Sequence, residues 1–487
     1  MKNSKLIGLF RNFNKEDWVK FEKFAVSPYL NNGRNYVSLI REIKKFYPGF
    51  DSVKLTKEHI YNKLFPAKEY KDSVMKTMLT GLFKLAETFF MLDYLNSSEH
   101  EKGKLLSSAY SVRGDFEGLY GALKSLDSIT DSEKIDYEYF YYKGIVESGK
   151  VLYYQRKSDK YVKHQEHSIN RGNYIIMDLL LKLPQILNDS FYSHNMYNES
   201  RLKDISFVFA GSIDFKKFVN ELDSSEFQYN DLCKLFTYTV LLYTDDGNTD
   251  NFFEAKKLYE NCFDELSFQN QYIFGLLISN YSSRNKSASS SVFANLTREI
   301  YDFMLKKNIF FGVYGSFIPH TPFMRYVNSA CECGRLDDAE NFINKYSINL
   351  HERHRDQVSK RCLAQLYILK NNFNKALELL KDFKSDDITE ILDLKRLHSI
   401  IYYELGLYDN LDYTVDSSVK MINANKFIPD NARNGAMLFF KYIKKLAGIR
   451  QKNAKAEAAV LVKNIQGGEY FLLCYWLINK LQEIEKQ

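Results

Sequence analysis

Residues 363–380, "LAQLYILKNNFNKALELL", decide how this chain is read. Apolar residues recur at helical spacing on either side of Asn371-Asn372, so the stretch reads as two helices joined at those asparagines. With Ala364 as reference, Tyr367 follows at +3, Ala376 at +12 and Leu380 at +16. The same frame fits Val327, Ala330, Ala339 and Ile343 in "VNSACECGRLDDAENFI". It fits Ser399, Tyr402, Leu411 and Val415 less closely in "SIIYYELGLYDNLDYTV". The +12 residues, at 339, 376 and 411, are 37 and 35 positions apart. Ala255 in "NFFEAKKLYENCF" marks an earlier second helix of the same kind. A small residue there lets two helices approach closely, and the aromatic at +3 fills the gap to the next pair.

This pattern resembles the tetratricopeptide repeat, a helix–turn–helix of about 34 residues that stacks into a superhelix. The likeness covers roughly 325–420, and 228–310 and 430–485 more loosely. The helix-ending Pro and the early Trp of that repeat are missing, and Leu411 stands where a small residue is usual. The resemblance implies that the first helix of each pair lines a concave face whose exposed positions take a ligand. Three before each reference those positions are Met324, Arg361 and Arg396; one after, they are Asn328, Gln365 and Ile400. Guanidinium forks and amides match carboxylate geometry, so the expected partner is an acidic or C-terminal peptide segment of another protein. The whole chain also resembles the long helical-repeat proteins found in bacteria, a likeness that implies no activity.

Composition agrees with an all-α class, an N-terminal helical domain followed by an α-solenoid. The chain has 487 residues but only seven Pro and 22 Gly, too few turn formers for an all-β protein of this length. Aromatics are abundant, with 37 Phe and 36 Tyr, alongside much Lys, Asn and Ile. That mixture fits A- and T-rich codons, with the rings filling cores. Six scattered cysteines make no disulfide scaffold and fit a reducing cytoplasm. "LIGLF" is too short for a signal-peptide core, and no apolar run reaches the roughly 18 residues that suggest a membrane span.

Net charge is +6, and it is unevenly placed. Residues 1–95 carry 17 Lys/Arg against 10 Asp/Glu; the rest carries 50 against 51. We therefore divide the chain into a basic helical domain (1–95), a helical region of unclear repeat phase (96–225) and a repeat region (226–487), with the polar stretch "NSSEHEKGK" (96–104) as the first boundary. In the first domain Asn14 caps a helix bearing Trp18, Phe21, Phe24 and Ala25. A second helix carries Val37, Ile40, Ile43 and Phe46, and a third runs from Leu55-Thr56 to Phe65-Pro66. A fourth, over about 71–95, is expected to bury Val74, Met75, Met78, Leu82, Phe83, Leu85, Phe89 and Phe90.

The last two of these helices, "LTKEHIYNKLFP…YKDSVMKTMLTGLFKLAETFF", resemble part of the winged-helix domain of bacterial antibiotic-regulatory regulators, which also place helical repeats after it. The resemblance implies a DNA-associated regulator. The outward stripe of the fourth helix is Lys76, Thr77, Thr80, Lys84 and Thr88. It lacks the Arg, Asn and Gln that read base edges; lysines suit phosphates. Lys71, Lys76 and Lys84 are thus candidate anion contacts without sequence readout. No alternating β-branched run follows to make a wing.

No phosphate-binding glycine loop, nucleophile elbow or H-E-x-x-H is present. The pairs His164/His167 and His351/His354 are spaced for one helix face, but lack further identifiable ligands and read as solvated surface. Cys331 and Cys333 point apart on a helix and read as packing residues. The expectation is a non-enzymatic interaction scaffold without cofactor or metal, with the DNA-associated regulator as alternative.

Overall fold

The computed structural model describes residues 1–486 apart from 32–33, 157–159, 198–203, 224–225, 286–290, 312–316, 382, 384, 386–387, 426–427 and 429. Among them the chain is all-α, with no strand beyond two isolated bridges, Ile135–Leu266 and Ile318–Leu350. It forms two compact units: Met1–Ser132 with Ile145–His167, and Glu133–Gly144 with Ser168–Gln487. The sequence-based ranges 1–95, 96–225 and 226–487 divide the chain differently.

The first unit opens with α1 (Lys5–Phe10), α2 (Lys15–Ala25), α3 (Pro28–Asn31), α4 (Val37–Lys44), α5 (Lys57–Leu64) and α6 (Asp72–Ser97). Asn14 caps α2 in a reciprocal box with Asp17, and Thr56 caps α5. The core is aromatic: Trp18 lies 4.8 Å from Phe10, and Phe21 lies 5.3 Å from Phe89 of α6. On α6 the buried row is Met75, Leu82 and Phe89, seven residues apart, with Leu85 and Ala86 beside it. Val74 and Phe90 are exposed, contrary to expectation, while Met78 and Phe83 are half-buried. Each exposed residue is one position off the row, a turn of about 100° around the helix. Gly81 admits the Tyr36 ring, because a Cβ there would collide with its hydroxyl.

The polar stretch at 96–104 is helical rather than a loop. Ser98 ends α6, and its hydroxyl accepts from the Glu101 amide to start α7 (Glu99–Arg113). Then come α8 (Phe116–Asp131), α9 (Tyr139–Tyr154) and α10 (Tyr161–Tyr197).

The second unit continues with α11 (Ile205–Gly211), α12 (Phe215–Leu222), α13 (Asn230–Thr244), α14 (Asp250–Asn261), α15 (Phe268–Arg284) and α16 (Val292–Lys306). The frame read from the sequence covers α17 (His320–Glu332), α18 (Leu336–Tyr346), α19 (Glu352–Leu369), α20 (Phe373–Leu380), α21 (Ile388–Glu404) and α22 (Tyr408–Ala424). The chain closes with α23 (Asp430–Lys452), α24 (Lys455–Gln466) and α25 (Cys474–Lys486). Partners pack in pairs, α17 with α18, α19 with α20 and α21 with α22, and α17, α19, α21, α23 and α25 each touch the next in that series. Ala255, Ala330, Ala339, Ala364 and Ala376 are fully buried, and Leu411 nearly so.

The hairpins are closed by one device. Gly334, Asn371, Gly406 and Asn453 take left-handed backbone (φ 72°, 59°, 70° and 47°). The next amide then bonds back five residues: Arg335 to Ala330 (2.9 Å), Asn372 to Tyr367 (2.8 Å), Leu407 to Tyr402 (2.8 Å) and Ala454 to Ile449 (3.1 Å). In the first three pairs the acceptor is the +3 residue of the frame, so that position carries a backbone role besides packing. The fourth closure lies within 430–485, where the sequence likeness is loose, and sets the register of a further pair, with Leu446, Ile449, Ala458 and Val462 in frame and all buried.

Candidate functional site

The structure gathers three of the six expected groove residues at one place. The Arg361 guanidinium donates to Met324 Sδ at 3.3 Å. Arg361 and Arg396 both donate to Asp393, one to each carboxylate oxygen. These side chains are nearly sealed, with Arg361, Asp393 and Arg396 at 13%, 19% and 8% exposure. The guanidiniums expected to meet a partner's carboxylate hold one of the chain's own.

The other three are less open than expected. Asn328 is half-buried, Gln365 is buried and Ile400 is fully buried. Part of their face is covered by the C-terminal segment. The Tyr470 hydroxyl donates to Glu332 at 2.7 Å, and the Tyr475 hydroxyl is buried close to Glu332 and Gln365. Burial pushes both phenols well above their ordinary pKa. Trp476 meets Tyr403 at 5.6 Å, and Lys480 pairs with Glu404 at 3.0 Å.

Of the paired histidines His351 is exposed as expected, whereas His164, His167 and His354 are half-buried. His167 Nδ1 lies 2.7 Å from Glu147, under the stacked ring of Tyr154, and Glu147 and Asp127 share Lys150. His354 has His320 at 5.1 Å and His351 at 6.3 Å between ring centroids, on a small cavity of about 280 Å³. His320, at the start of α17, was absent from the sequence reading because it lies 31 residues before His351. Among the described residues no three His, Cys, Asp or Glu side chains are arranged to hold a metal ion. Cys331 is buried and its thiol is pushed up by burial, a packing residue that does not ionise readily.

The basic stripe of α6 has the most open geometry. Lys76, Thr77, Thr80 and Lys84 are exposed and Thr88 is half-buried. They form one wall of a groove of about 600 Å³, with Leu30, Asn31, Arg34 and Tyr36 opposite. Lys76 pairs with Asp72 at 2.8 Å; Asp72 also accepts from Tyr70 and Lys57, and these bonds hold its carboxyl far below the ordinary range. Arg34 and Lys84 have no acidic partner among the described residues, and no carboxylate lines the groove. Lys71 is exposed just before α6 and lies outside the groove lining. The segment after α6, where a wing would stand, is helix α7.

Comparison of the chain with protein-family models, with curated proteins and with solved structures gave no match.

Proposed function

We propose that the chain is a non-enzymatic interaction scaffold that takes a protein partner through α10. The observation that carries this reading is the composition and exposure of that helix. Along the same helix Tyr174, Met177, Leu180, Leu183 and Leu187 are buried. Yet Ile169, Ile175, Ile176, Leu179 and Ile186 remain between 37% and 64% exposed. A helix apolar all round is normally covered all round. The exposed residues 169, 176, 179 and 186 are seven, three and seven positions apart and so fall within about a third of the helix circumference, with the buried Leu183 in the same register. That spacing suits an amphipathic helix of another protein. No helix among the described residues is long and apolar enough to cross a membrane, and six unpaired cysteines agree with a cytoplasmic setting. The helix pairs of the second unit would serve as the rigid body presenting α10, in the manner of a solenoid.

The test is an Ile176→Asp, Leu179→Asp double variant of the full chain, checked for unchanged helical content. The parent should retain a discrete partner through purification, and the variant should lose it. Equal retention by both removes α10 as the interface, and self-association abolished by the variant makes the occupant a second copy.

A DNA-associated regulator is a second reading, favoured by the exposed Lys/Thr stripe of α6. Such contacts would be to phosphates and sequence-blind. Binding of one duplex at least about a thousandfold better than others would favour that regulator over the scaffold. No binding to any duplex at low salt would remove it.

A further inference from the structure

We propose that the groove between α6 and Leu30, Asn31, Arg34 and Tyr36 binds a small organic phosphate, a dianionic phosphomonoester with an apolar substituent. The charge balance of the walls is the first argument. Three cations, Arg34, Lys76 and Lys84, line the groove with no carboxylate among the lining residues. Asp72 answers Lys76 from outside it, which leaves two positive charges, on Arg34 and Lys84, without a counter-charge. A folded surface rarely leaves cations in a concave wall unbalanced, since each raises the local potential for anions. Two uncompensated charges fit a dianion better than a carboxylate.

The donor set is the second argument. Arg34 offers a planar fork, Lys84 a point charge and Thr80 a hydroxyl, three donors for the several oxygens of a phosphate. Thr77 and Thr88 contribute less, because their hydroxyls already donate to the Ser73 and Lys84 carbonyls.

The third argument is shape. The groove volume of about 600 Å³ is in the range of small-molecule sites. Arg34, Tyr36 and Thr77 also line a second cavity of about 450 Å³, whose walls include Val74 and Met78. Val74 is one of the two α6 residues, with Phe90, that the sequence placed in the core and the structure leaves exposed. A ligand held by its phosphate at Arg34 and Lys84 would lay its apolar part there.

The experiment uses the full chain and three probes in calorimetric titration: phenyl phosphate, inorganic phosphate and benzoate. Phenyl phosphate should bind at least tenfold more tightly than either of the others, since only it has both the dianion and the ring. Lys84→Glu and Arg34→Glu should each weaken it at least tenfold, while Lys71→Glu, the same charge change outside the groove, should alter it less than twofold. Val74→Asp should lower phenyl phosphate affinity and leave inorganic phosphate unchanged. Equal binding of benzoate, or no phenyl phosphate binding at millimolar concentration, overturns the proposal. So does a random duplex that outcompetes phenyl phosphate and loses as much affinity to Lys71→Glu as to Lys84→Glu, since that describes a diffuse nucleic-acid surface. These outcomes are separate from the α10 test, which concerns residues 169–186 in the other unit of the chain.

Discussion

The Tyr470 hydroxyl donates to the Glu332 carboxylate at 2.7 Å, across 138 residues of chain. This bond fixes the segment before α25 to the end of α17. It has a measurable weight: a hydrogen bond to a charged group contributes about 1.5–3 kcal/mol. Tyr470→Phe should lower unfolding stability in urea by about that amount. An unchanged midpoint would mean that the segment rests on α17 without being held by this bond.

Asp393 gives a sharper case. Its carboxylate is largely buried and shared by Arg361 and Arg396. Removing one partner of a buried ion pair costs about 3–5 kcal/mol, because the other charge is stranded. Arg396→Met should approach that range, as Arg396 is the more buried of the two arginines. Arg361→Met should cost less, because Arg396 still answers the carboxylate. If Arg361→Met proved the more damaging in thermal unfolding, Arg396 would not be the main support of Asp393.

Much of this was legible in the sequence, and the reasons differ by residue. Ala339 and Ala376 could be found because a small residue inside an apolar helical row has few other uses. Leu446 and Ala458 lie in a stretch that fits the repeat only loosely, and their register was not assigned because α22 and α23 are 17 and 23 residues long, which stretches the spacing past the period set by the earlier pairs. Gln365 and Ile400 looked exposed because a helix period says nothing of distant segments, and part of their face is covered by residues more than 70 positions later. The Lys/Thr stripe could be read from α6 alone. Arg34, across the groove, needed the tertiary structure.

The repeat frame can be tested by volume and by backbone. Ala376→Leu and Ala458→Leu should each overpack a close helix approach and cost about 1–3 kcal/mol. Asn371→Gly should be tolerated at its left-handed backbone, whereas Asn371→Val should cost roughly 1–2 kcal/mol. An unchanged melting temperature for Ala458→Leu would remove the fourth pair from the frame.

Stability should also fall on mild acidification. Burial, and then the neighbouring His354, lower the His320 pKa below the usual 6.5, while Glu390 opposes this and Arg361 adds to it. His398 is lowered likewise by burial. A base with a depressed folded pKa binds fewer protons folded than unfolded, so stability rises with pH across that window. The contribution is complete above the unfolded value near 6.5 and is lost as pH falls through the folded values. The urea midpoint should therefore drop between pH 7.5 and 5.5, and His320→Gln should reduce the drop. An equal drop in His320→Gln would assign the effect to other groups.

The central claim, that α10 is covered by another protein, is tested most directly by a photo-crosslinking amino acid placed at Ile176 in the living cell. A control probe at Tyr413, which is 78% exposed on α22, reports chance encounters. The account predicts a crosslink from Ile176 to one discrete, different polypeptide, and none to it from Tyr413. A crosslink from Ile176 only to this same chain, or the same products from both positions, would contradict it.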